Sequence, residues 1–192
     1  MGPESFDVIG GDQLFEYAEA MAGEHFAAME SDSAFGMFDM MGADMVMDLG
    51  GDRMAGMFDA MDSHQLHDIG GTQLFEFMGA MGGEHIGKMD SDSAFGMFDA
   101  LGADMALDMK GEQLAGMFGA MEHDQIGDMH GDVVFDAFQS MGTEGMLGMD
   151  GDSVAGMFDA MGPEHFGEID HPDMCERFHQ LGFDCSLRTA LG

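Results

Sequence analysis

The chain has 192 residues, enough to bury a sizeable core, and carries 38 acidic residues against 5 Lys and Arg, a formal charge of -33. That balance argues against nucleic acid and anionic membranes as partners, since both select basic surfaces. The 45% hydrophobic content argues equally against a disordered acidic tail, no stretch approaches the ~18–20 apolar residues of a membrane span, and the opening Met1–Phe6 lacks the basic and apolar regions of a Sec signal.

From its start the chain reads as a tandem array. Residues 1–10 form an N-terminal half repeat, because MGPESFDVIG lines up with MGPEHFGEID at 161–170. Residues 11–170 follow as eight tandem 20-residue repeats with no insertion or deletion, and 171–192 are a degenerate C-terminal capping repeat. A second period lies above the first. Residues 11–70 and 71–130 agree at more than half of their positions, whereas units 11–30 and 31–50 share few. Duplication of a three-unit block and three units per superhelical turn both account for it.

Each unit predicts two short helices. In 151–170, Asp152 stands before Val154, Ala155, Phe158 and Met161, an apolar stripe at helical spacing, and is the expected N-cap. Gly162 is the expected stop, and Pro163-Glu164 suits the first turn of a second helix. Helices this short are unstable alone and need neighbouring units to hold them. The expected fold class is therefore all-α: an α-solenoid of nine 20-residue two-helix repeats plus the N-terminal half repeat.

Asp152–Met161 followed by Pro163-Glu164, together with the half unit at Pro3-Glu4, resembles the short-helix superhelical N-terminal domain of MgtE-type magnesium channels. The resemblance implies an acidic helical domain that helps to sense Mg²⁺. It carries no site residues across, because the strict 20-residue period and the Met and Gly richness are departures from that pattern.

The residue columns suggest their own chemistry. The eighth position carries Phe38, Phe58, Phe98, Phe118, Phe138 and Phe158, and the eleventh is mostly Met. Thioethers bind Cu(I), but residues on the apolar stripe are expected in the core, where Met fills gaps between small helices. Gly at the sixth position, as in Gly56 and Gly116, predicts close helix approach. Acidic residues recur at the second and fourteenth positions. They fit helix N-termini, yet at helix spacings of ~8–10 Å each like-charged pair repels by ~0.4 kcal/mol even in water, so screening by salt or bound divalent cations is expected.

Three acid-x-acid pairs at unit junctions are the candidate metal residues: Glu30 with Asp32, Asp90 with Asp92, and Asp150 with Asp152. Oxygen ligands favour Ca²⁺, although none of the pairs continues as an EF-hand loop, which needs Gly and Glu where this chain has Ala155 and Met161. His64 and His67 share a helical face, but no nucleophile recurs beside any His and no phosphate loop occurs, so an enzyme is not expected. Cys175 and Cys185 are a disulfide candidate within the cap. The expected function is thus a structural or binding module that takes up divalent cations, Ca²⁺ foremost. Its rivals are a metal-independent scaffold for a protein partner and an acidic mineral-binding surface. An extracellular or high-salt setting and self-association through an uncapped N-terminal end complete the expectation.

Overall fold

In the computed structural model, which describes residues 10–165, every regular element is an α-helix and no strand occurs among the described residues. The all-α expectation holds. In chain order the helices are α1 (Gly11–Glu19), α2 (Gly23–Ala27), α3 (Ser31–Met41), α4 (Ala43–Asp48), α5 (Gly51–Asp59), α6 (Ser63–Ile69) and α7 (Gly71–Met81). There follow α8 (Gly83–Ile86), α9 (Ser91–Leu101), α10 (Ala103–Leu107), α11 (Gly111–Ala120), α12 (His123–Gly127), α13 (Gly131–Gly148) and α14 (Gly151–His165). The last two each contain a break, at Gly142 and Gly162, so the alternation of long and short helices continues through them.

The turn between long and short helix is made in two ways. Where the twelfth position is Gly, the backbone enters the left-handed half of φ space, as at Gly102 with φ 75 and ψ 152. An L side chain disfavours that conformation. Where the position is Ala22, Asp62 or Glu122, φ is negative and ψ again extended, and the preceding helix stops short. In those three units the residue at position 15 caps the short helix: His25 Nδ1, Gln65 Oε1 and Gln125 Oε1 accept the backbone N–H of Ala22, Asp62 and Glu122. Pro163 directly follows the break at Gly162, at the helix start expected of it.

The N-cap expected of Asp152 is corrected. Helix α14 begins at Gly151, which puts Asp152 inside the first turn. The capping carboxylate is Asp150, whose Oδ1 accepts the N–H groups of Asp152 and Ser153 at 2.9 and 2.8 Å. A carboxylate reaches the free N–H groups two and three residues ahead of it, which only the last residue of the preceding unit can do here.

Burial follows the Phe and Met columns. Phe38, Phe58, Phe98, Phe118 and Phe138 lie in one continuous apolar core, with Phe158 packed on it. Rings meet edge-on between units, Phe98 with Phe118 at 5.7 Å and Phe138 with Phe158 at 5.5 Å between centroids. In 71–90 the order is reversed to Phe77-Met78, and Phe77 still reaches Phe38 at 5.6 Å and Phe58 at 5.5 Å.

The short helices set the packing rule. Each lies against the long helix that begins two units later: α2 on α5, α4 on α7, α6 on α9, α8 on α11, α10 on α13 and α12 on α14. Glycine makes two of these contacts close. A Cβ on Gly56 would collide with the Gly23 carbonyl, and one on Gly116 with the Gly83 carbonyl.

Candidate functional site

A second register, between adjacent units, positions the acidic column at position 2. Position 2 of a long helix faces position 15 of the following unit, about 33 residues on. Gln65 Nε2 donates to Asp32 Oδ1 at 3.2 Å, and Gln125 Nε2 donates to Asp92 Oδ1 at 3.0 Å. Where position 15 is His, the imidazole takes the same place. His85 Nε2 lies 3.6 Å from Asp52 Oδ1, and His165 Nε2 lies 3.2 Å from Asp132 Oδ1. Two further His–carboxylate pairs join short helices to the long helix two units on, His67 with Asp99 at 3.1 Å and His123 with Asp159 at 3.2 Å.

The three acid-x-acid pairs are therefore divided between two tasks. Asp90 and Asp150 turn back on their own helices, Asp90 Oδ1 accepting the Ser93 N–H at 2.8 Å. Asp32 and Asp92 look across to Gln65 and Gln125. Glu30 precedes α3 without a side-chain cap, and Asp152 is exposed in the first turn of α14. Among the described residues no three His, Cys, Asp or Glu side chains converge as a metal-holding group. Cys175 and Cys185 lie outside the described residues.

Among the described residues the carboxyl of Asp59 is perturbed, and the residue columns did not single it out. Asp59 ends α5, and its Oδ1 accepts the Asp90 backbone N–H at 3.1 Å. Burial pushes its carboxyl up from 3.8 to about 6. The nearby Asp90 charge adds to the rise, while hydrogen bonds from the Asp90 N–H and Ser93 oppose it. The signal in the sequence was an acidic residue at position 9 followed by another 31 residues later, a coincidence specific to Asp59 and Asp90 among the described units.

A groove of about 760 Å³ lies between α8, α11 and the second half of α13. Half of its lining residues are glycines, including Gly83, Gly116, Gly119 and Gly145, and Met81, Ala115 and Met149 add apolar surface. Four carboxylates border it, Glu84, Glu112, Glu144 and Asp150, and no Lys, Arg or His lines it. Glu84 Oε1 stands 3.7 Å from the neighbouring His85 Nε2. Position 15 of unit 131–150 is Gly145, so Glu112 has no Gln or His in the register that joins Asp32 to Gln65.

Two basic side chains among the described residues are engaged elsewhere. Arg53 donates to three main-chain carbonyls, from Nε to Met21 and Nη2 to Glu19 at 2.7 Å each, and from Nη1 to Leu49 at 2.9 Å. This closes the C-terminal end of α1. Lys88 Nζ lies 3.5 Å from Asp52 Oδ1. No family model, no curated protein and no solved structure matches the chain.

Proposed function

We propose that the chain is a non-enzymatic acidic α-solenoid, a binding module that receives a cationic macromolecular partner on its carboxylate surface. The observation that carries this reading is how the chain's own cations are used. Arg53 is turned to carbonyls and Lys88 shares Asp52, and the net formal charge, with all five Lys and Arg counted, is still -33 around an apolar core. Clefts lined by one sign of charge on low-dielectric walls concentrate counter-charge. A polycation bound there relieves the repulsion between unit ends and stabilises the folded array by mass action. The test is titration of the full chain with a lysine-rich peptide at rising NaCl. Binding that weakens steeply with salt, and a melting temperature raised by the peptide, are expected. Absence of binding at low salt would sink the reading.

A second reading, divalent-cation uptake with Ca²⁺ foremost, is supported by the Asp59–Asp90 junction, where two carboxylates crowd one helix start. It accords with the resemblance to the magnesium-channel domain. Thermal melts in chelator, CaCl₂, MgCl₂ and NaCl at equal ionic strength separate the two. Rescue by Ca²⁺ beyond that of NaCl is the expected signature of ion binding, and equal rescue leaves screening alone.

Self-association through the N-terminal end draws support from Tyr17. This residue is 63% exposed, whereas Met37, Met57, Phe77, Met97, Met117 and Met157 at the same position of later units are buried. Sedimentation of the chain beside Tyr17→Asp is the check, and a monomer at all concentrations refutes it.

A further inference from the structure

The groove between α8, α11 and the second half of α13 points to a defined seat within the acidic surface. We infer that it receives an extended polypeptide segment bearing several Lys or Arg side chains, an inference that rests on the cationic-partner reading above. Three observations lead there. The groove's volume, about 760 Å³, falls within the range of roughly 300–1,000 Å³ typical of clefts that hold ligands. Its carboxylates, Glu84, Glu112, Glu144 and Asp150, come from three units of the array, 71–90, 111–130 and 131–150, with no cation among the lining residues. They do not gather as a chelating group, since no metal-holding cluster occurs among the described residues. Negative charge spread along a channel matches positive charge spread along a chain, not a single compact ion.

The walls fit the same occupant. A Cβ on Gly119 would meet only Met149 Cγ, at 3.8 Å, and a Cβ on Gly148 would meet nothing within 4 Å. Side-chain-free walls let a second backbone approach closely. With Gly145 at position 15, Glu112 lacks the Gln or His that meets Asp32, Asp52, Asp92 and Asp132 in their units. A lysine or arginine from the incoming chain would take the place that Gln or His takes elsewhere.

The experiment is fluorescence anisotropy of a labelled lysine- and arginine-bearing peptide on the full chain and three variants. Gly119→Leu fills the groove and, as a helix residue with room for its Cβ, keeps the fold; helicity by circular dichroism confirms it. Glu112→Gln with Glu144→Gln removes two charges from the groove, and Asp12→Asn with Glu16→Gln removes two charges from α1 as a matched control. A loss of tenfold or more in both groove variants, with under threefold in the control, is the expected result. Equal losses in groove and control variants would overturn the seat while leaving the cationic-partner reading in place. No binding by the wild type would overturn both. Spermine binding with the same sensitivity to Gly119→Leu would overturn the polypeptide as occupant.

Discussion

Asp59 Oδ1 accepts the backbone N–H of Asp90 at 3.1 Å, so one carboxylate sits at the very helix start that another carboxylate caps. The N–H needs an acceptor there, but it does not need a charge. Desolvation and the Asp90 charge both act against the ionised form.

Asp59→Asn is expected to raise the melting temperature at pH 7, because the amide oxygen keeps the hydrogen bond without the charge. The folded-state pKa is raised to about 6 from 3.8, so the folded chain holds this proton more tightly than the unfolded one. The wild type therefore loses stability on this account as pH rises from about 4 to about 6. The advantage of the variant should be full above that window and vanish below it. Thermal melts of both proteins from pH 3.5 to 7.5 check the sign and the window.

Gln65 is bifunctional. Its Oε1 caps α6 through the Asp62 N–H while its Nε2 holds Asp32 of the preceding unit. Gln65→Ala should cost about 1–2 kcal/mol in urea unfolding, from one lost cap and one lost bond to a carboxylate. Gln65→Glu should cost more at pH 7 than at pH 4, since it sets a second acid against Asp32.

Arg53→Ala should destabilise by about 2–3 kcal/mol, because three carbonyls lose a charged donor. Arg53→Lys should recover little of it, since one ammonium cannot span Glu19, Met21 and Leu49 as the planar fork does. Hydrogen exchange should show the loss first at the end of α1.

Glycine substitutions should split in sign. Gly56→Ala drives a Cβ into the Gly23 carbonyl and should cost about 1–3 kcal/mol despite better helix propensity. Gly79→Ala, exposed in α7 with nothing within 4 Å of its Cβ, should stabilise by about 0.5–1 kcal/mol. Chemical denaturation of the two single variants decides it.

What lay within one unit was legible in the sequence. The Phe column, the glycine stops and the helix start at Pro163 all follow from local spacing, since 20 residues suffice to specify two helices and their apolar face. The cap at Asp150 was misread as Asp152, because both are acids and only the carboxylate's reach into the first turn separates them. The partnership of Gln65 with Asp32 was not legible, for it joins residues 33 apart on different helices. The groove was further still from view, for its walls come from three units that meet only once the array is folded.

The contact between each short helix and the long helix two units on also sets the step in which the chain can change length. Gly23 meets Gly56 and Gly83 meets Gly116, whereas the long helices α7 and α13 carry Glu76 and Asp136 at the corresponding place, opposite Ala43 and Ala103. Excising residues 91–110 would bring α8 onto α13, setting the close glycine of 83 against Asp136. Excising residues 71–130 would instead bring Ala43 to Asp136 and Ser63 to Gly156, matching pairs that the intact chain already uses. Excision of sixty residues thus keeps the kinds of residue pair that the intact chain uses at this contact, and excision of twenty does not.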